Sequence, residues 1–210
     1  MKRLFSICLG VAFVAAVLAA VVSLIYYAQV PLETDLPMPA HKQPLELTYA
    51  DPAHGYQIGY EDNYAILHDG AQENFFRTHG QTLSTVVITT PFFPNTNFVE
   101  GQATAAIRPE TTPADCTFYT VGAAAPATMT QQSQVAGEPA YYAEFSDAAA
   151  GTAYNTRLYH IPHNGDCYEI SLTVGLANIN NFDPDTVREL QPTDVWPRLN
   201  RVLTSFKFTD

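Results

Sequence analysis

Residues 166–176 read Asp-Cys-Tyr-Glu-Ile-Ser-Leu-Thr-Val-Gly-Leu, so that Tyr168, Ile170, Leu172, Val174 and Leu176 alternate with Cys167, Glu169, Ser171, Thr173 and Gly175. A period of two belongs to a β-strand, whose successive side chains point to opposite faces. Asn164-Gly165 stands directly before this run. That dipeptide favours a type I′ turn, in which both central residues take positive φ. Turn and strand together predict a hairpin whose antiparallel partner is 154–161. Upstream, residues 140–145 are rich in aromatic side chains and run into Asp147-Ala-Ala-Ala-Gly151, which predicts a third antiparallel strand. Residues 84–90 and 101–108 form another predicted pair, joined by the loop 91–100.

Downstream the period changes. Val195, Leu199, Val202, Leu203 and Phe206 fall on one helical face, with Asp194 or Thr193 as the cap, and this helix is expected to lie on the sheet. Asp183-Pro184 couples a capping residue to a proline at the first helical position, predicting a shorter helix that ends near Leu190. Hairpins followed by a covering helix define an α+β domain: an antiparallel sheet of hairpins covered by a C-terminal helix.

At the other end, residues 4–25 form an uncharged apolar run of 22 residues after Lys2 and Arg3. At about 1.5 Å per residue it spans a hydrocarbon core of about 30 Å. A signal peptide carries a shorter apolar region and a small-x-small cleavage site. Here no Ala-x-Ala occurs, and Val17-Leu18-Ala19 lies inside the apolar run. The reading is an uncleaved anchor over 4–27, with a cleaved signal as its alternative. Lys2 and Arg3 keep residues 1–3 cytoplasmic, and Tyr26 and Tyr27 suit the far interface. The expected location is therefore the inner (cytoplasmic) membrane, crossed once, with the C-terminal domain in a periplasm or outside the cell. Cys8 lacks the small residues a lipoprotein site needs before its cysteine, and reads as a thiol within the membrane helix. Residues 28–44 hold prolines 31, 37, 39 and 44 and read as a stiff linker. This leaves 45–210 as the extracytoplasmic domain.

Over the whole chain 47% of residues are hydrophobic and 15% charged, too apolar for disorder and enough for one core. Beyond residue 29 there are 8 Lys and Arg against 21 Asp and Glu, a net charge of −13, which excludes a nucleic-acid backbone as partner.

Cys116 and Cys167 are the two thiols beyond the membrane run, and an oxidising compartment lets them pair. Since Cys167 lies on the strand face opposite Tyr168, Ile170 and Leu172, the segment around Cys116 is expected to cross that opposite face. A redox dithiol is the sharper alternative, but no Cys-x-x-Cys accompanies it.

Signatures of common hydrolases and nucleotide-binding folds are missing: there is no Gly-x-Ser-x-Gly, His-Glu-x-x-His, Gly-x-Gly-x-x-Gly or phosphate loop. Serines 84, 133, 146, 171 and 205 have no nucleophile context. The best metal candidate is His160, His163 and Asp166 around the hairpin turn, although Pro162 and Asn164-Gly165 explain that turn without an ion. His54, His68 and His79 read as surface or capping residues, and Glu61-Asp62 and the acidic residues at 183 and 185 as turn and cap groups. The better binding candidate is the loop Thr90-Pro-Phe-Phe-Pro-Asn-Thr-Asn-Phe98, with Phe92, Phe93, Asn95, Asn97 and Phe98 as its contact residues. Rigid aromatic side chains on a loop make a low-entropy contact surface. The competing account folds Phe92 and Phe93 back to close one end of the core.

The pieces Pro94-Asn-Thr-Asn-Phe98, Ala114-Asp-Cys116, Ala148-Ala-Ala-Gly151, Cys167-Tyr-Glu-Ile170 and Ser205-Phe-Lys-Phe208 come in an order that resembles an uncharacterised group of small exported bacterial proteins, over roughly residues 84–208. More remotely, hairpins with a closing helix are similar to the PsbP/Mog1/DcrB-like fold. That fold serves mostly in binding and assembly, so the resemblance implies no catalytic residues and no cofactor. The expected function is a membrane-anchored, non-catalytic binding or assembly module whose partner is an envelope protein or a small ligand. The alternative is an extracytoplasmic metal-assisted hydrolase using His160, His163 and Asp166.

Overall fold

The computed structural model describes residues 45–68, 80–119, 127–129 and 131–209. The expected anchor at 4–27, the linker and His79 lie outside these residues. Among the described residues no helix is long and apolar enough to cross a membrane.

The predicted hairpin is the centre of the fold. β10 (Thr152–His163) and β11 (Asp166–Ala177) pair from Thr152↔Ala177 to His163↔Asp166. Asn164 and Gly165 turn the chain at φ 50° and 89°, as a type I′ turn requires. β9 (Glu138–Ala149) adds to β10, and β8 (Gln131–Val135) to β9. On the other side of β11 lies β5 (Phe98–Arg108), then β4 (Gln81–Ile88) and the short edge strand β3 (Ala65–His68). The seven-stranded sheet has the order β3-β4-β5-β11-β10-β9-β8, with every neighbouring pair antiparallel. Two smaller sheets accompany it. β1 (Leu47–Asp51), β2 (Tyr56–Tyr60) and β12 (Lys207–Phe208) lie in the order β1-β2-β12, and β6 (Phe118–Tyr119) pairs with β7 (Ala127–Thr128).

The helix α1 (Pro192–Ser205) covers one face, burying Val195, Trp196, Leu199, Val202 and Leu203 on β11, β5 and β2. Each large apolar side chain so buried contributes about 1.5–3 kcal/mol. Its start is fixed by Pro192 in the first turn and by Asp194, whose carboxylate accepts from the Gln191 backbone N–H at 2.8 Å. At its end the Ser205 hydroxyl, held 2.6 Å from the Val202 carbonyl, accepts from the Gly59 N–H at 2.8 Å and so ties the helix to β2.

The shorter helix expected from Asp183 does not form. The Asp183 carbonyl accepts from the Thr186 N–H and hydroxyl in a single turn, and Asp185 takes φ 61°, which no right-handed helix accommodates. The stretch instead runs back toward the 91–97 loop, bridging Thr96 to Arg188.

Ten of the twelve residues of β11 are buried, so both faces of that strand are interior. On the face away from α1 the interior is polar. The Thr85 and Thr104 hydroxyls meet at 3.1 Å and those of Thr156 and Thr173 at 3.0 Å, so that these four buried hydroxyls partner one another.

Candidate functional site

Cys116 and Cys167 form a disulfide, and both are fully buried. Cys116 sits in a short 3₁₀ turn (Asp115–Thr117) against β10, on the face opposite α1, where the sequence placed it. Around the disulfide is a cluster of charged groups that the sequence did not announce. Glu169, one pleat from Cys167 on the same face of β11, is fully buried. Its Oε1 lies 2.8 Å from Arg108 Nε and 3.3 Å from His160 Nε2, and its Oε2 accepts from the Gly80 N–H at 3.0 Å. His160 is also fully buried, with Nδ1 2.8 Å from the Cys116 carbonyl and 3.3 Å from Arg108 Nη2. Arg108 Nη2 reaches to 3.2 Å from Cys167 Sγ. A lone buried carboxylate is expensive, and the guanidinium, the imidazole and a backbone N–H offset that cost.

The expected His160, His163 and Asp166 group does not converge. His160 and His163 are three residues apart on one strand, and odd spacing sends them to opposite faces. His163 stacks on Phe208 at 3.6 Å between ring centroids and lies 3.7 Å from Glu138. Asp166 accepts from the Glu110 N–H at 2.8 Å and fixes a loop. His54 caps a turn against Asp51 at 2.8 Å, and His68 stacks on Tyr49.

The 90–98 loop is divided between the two accounts. Phe93 and Phe98 are buried and meet at 4.6 Å between centroids, so these two rings belong to the core and form no exposed contact surface. Phe92 is half-buried, edge-on to Tyr64 at 5.0 Å, and the Arg198 guanidinium lies over both Phe92 and Phe93. Asn95 is exposed at φ 55°, its carbonyl accepting from the Arg188 N–H. Asn97 is buried, donating to the Ala177 carbonyl and accepting from the Leu190 N–H, each at 2.8 Å.

Asn97 also lines an open cleft of 580 Å³ at the end of the sheet where β10 begins and β11 ends. Asn155, Asn178, Asn180, Gln191 and Thr152 line it with Glu189, over an apolar floor that includes Leu176 and Leu190. Its rim is built by the chain itself: Asn178 N–H donates to the Gly151 carbonyl at 2.8 Å, and the Asn178 side chain accepts from the Asn180 N–H at 3.0 Å. Carboxamides offer both donors and acceptors at no charge, which is the chemistry of recognition. The sequence signal for this site is the density of Asn at 178, 180 and 181, just upstream of the segment expected to form the short helix.

No protein-family model and no curated protein matches the chain. Among solved structures it is similar to a protein of Bacteroides thetaiotaomicron, with TM-score 0.41 and 10% identity over 78% of this chain, which spans about half (48%) of that one. It is similar also to LpqN, involved in cell envelope biogenesis of Mycobacterium tuberculosis, with TM-score 0.41 and 13% identity over 81% of this chain and 88% of LpqN. A third is the cyanobacterial PsbP protein CyanoP of Synechocystis, with TM-score 0.33 and 12% identity over 77% of this chain and 91% of that one.

Proposed function

We propose that this chain is a non-catalytic binding or assembly module of the cell envelope. In this reading residues 4–27 anchor it in the inner membrane, residues 28–44 act as spacer, and the domain at 45–210 faces away from the cytoplasm and takes a small polar ligand or a partner's polar segment in the carboxamide cleft. The observation that carries the reading is the contrast between two places. The titratable cluster Arg108, His160 and Glu169 is held in the interior, where Glu169 and His160 are 0% exposed, whereas the open cleft offers neutral amides and a single carboxylate. General acid–base chemistry needs its groups within reach of a substrate. The buried disulfide supports an oxidising compartment.

The test uses the full-length chain cross-linked in its own membranes, beside an Ala153→Trp variant, which fills the cleft from an exposed position on β10. The wild type should fractionate with membranes at its full intact mass and yield a defined cross-linked partner or retained ligand, and the variant should lose it at least tenfold while melting normally. A mature form starting near residue 20 or 29 would overturn the anchor, and undiminished capture by the variant would overturn the cleft.

A further inference from the structure

One ligand atom from each of Cys116, His160 and Cys167 lies within 4.8 Å of the others, and all three residues are buried. In the oxidised chain the sulfurs are joined, with their Cα atoms 5.5 Å apart. We propose that the reduced chain, before this disulfide closes, holds one Zn²⁺ ion between Cys116 Sγ, Cys167 Sγ and His160 Nδ1, so that metal and disulfide are alternative closures of the same joint.

Three features of the surroundings favour this. Tetrahedral zinc with Zn–S of about 2.3 Å separates two thiolates by roughly 3.8 Å. Residues whose Cα atoms stand 5.5 Å apart reach that spacing by side-chain rotation. The imidazole is already oriented as zinc-bound histidines are: Nε2 lies against the Glu169 carboxylate at 3.3 Å, while Nδ1 is on the Cys116 side. Charge then balances. Two thiolates neutralise Zn²⁺, and Glu169 remains paired with Arg108 at 2.8 Å, so the interior gains no net charge. The same site disfavours a monovalent ion, which would leave one negative charge buried. Thiolates, imidazole and a single open position match a three-ligand zinc site, with water or a carboxylate oxygen as the fourth ligand. Binding releases the two thiol protons, while the neutral imidazole ligates through Nδ1 and keeps its one proton on Nε2, facing Glu169. Oxidation expels the metal as the two thiolates give two electrons to a disulfide-class oxidant, which leaves as a dithiol.

The test uses the full-length chain in a Cys8→Ser background. Water-soluble phosphine reduces the disulfide, the phosphine taking oxygen from water to become its oxide while the two sulfurs take up two electrons and two protons. Zn²⁺ uptake is then followed against a chromophoric chelator, and Co²⁺ in its place reports thiolate ligation by its charge-transfer bands. One equivalent is expected for the reduced chain and none for the oxidised chain, with near-UV dichroism of the metal-bound form close to that of the oxidised one. His160→Ala should weaken binding at least tenfold, and His160→Gln serves where the alanine variant fails to fold. Uptake without recovery of near-UV dichroism, equal binding by the His160 variants, or no uptake by the reduced chain would each overturn the site.

Discussion

Replacing Phe93 by alanine, beside the same change at Phe92, separates core from surface within two adjacent residues. The Phe93 ring is 3% exposed and meets Phe98 at 4.6 Å, so truncation removes nearly the whole ring from the interior. Large-to-small changes of this kind cost about 3–5 kcal/mol, including the cavity left behind. Phe92 is half-buried, resting edge-on against Tyr64 with the Arg198 guanidinium 5.1 Å above it. Its truncation should cost roughly half as much, part of it the cation–π contact worth about 0.5–1 kcal/mol. Urea unfolding followed through Trp196, the single tryptophan and one of the buried residues of α1, reads both variants on one scale. Slopes equal to the wild type make the midpoint shift a stability difference. For a domain of this size the Phe93 variant should melt roughly 6–20 °C lower. A Phe93→Ala protein within about 1 kcal/mol of wild type, or a Phe92 change costlier than the Phe93 change, would refute the placement of these rings.

Three further outcomes are expected. Without reductant, denatured protein should show no alkylation at Cys116 or Cys167, and replacing both by serine should cost about 4 kcal/mol by loss of the constraint across a separation of 51 residues; alkylation at either cysteine would contradict the bond. Glu169→Gln leaves Arg108 and His160 facing a neutral amide and should destabilise by about 3–5 kcal/mol, with partial recovery on adding Arg108→Met. A loss under about 1 kcal/mol would show the charge to be dispensable. Burial pushes the Tyr56 phenol well above its ordinary value, against a partly opposing hydrogen bond from Ser84. The unfolded phenol ionises near pH 10, so this stabilisation is complete below about pH 10 and is lost as pH rises from there toward the folded value. Urea midpoints taken at about pH 9 and about pH 11 should fall more for wild type than for Tyr56→Phe, and equal falls would remove Tyr56 from the alkaline transition.

Local rules carried the middle and end of the chain. Asn164-Gly165 set the turn, the period of two set β11, and the spacing from Val195 to Phe206 set the face of α1. The pairing of Cys116 with Cys167 followed from their being the two thiols beyond the membrane run, and the side of the sheet on which it lies followed from the same alternation. Where the reading failed, long-range terms decided. Asp183-Pro184 looks like a helix start, but Arg188 and Leu190 take their partners from Asn95 and Asn97, about 93 residues upstream, and hold the segment extended. Glu169 reads as the polar half of an alternating strand, and nothing local says that this half is buried as well. His160 and His163 looked like a ligand pair because sequence distance hides the face each occupies. β1 and β2 went unread because β2 owes its place to α1 and β12, some 150 residues away.

The three-stranded sheet β1-β2-β12 has a mechanical meaning. The chain enters the described domain through β1, an outer strand joined to β2 by five residue pairs. Tension applied at residue 45 would therefore meet β1 first. β2 lies behind it, held by the buried Tyr56 and Ile58 and by the Ser205 hydroxyl at the foot of the helix. The seven-stranded sheet is reached only beyond that. A pull applied at residue 45 is thus expected to strip one short hairpin strand before any strand of the seven-stranded sheet is loaded.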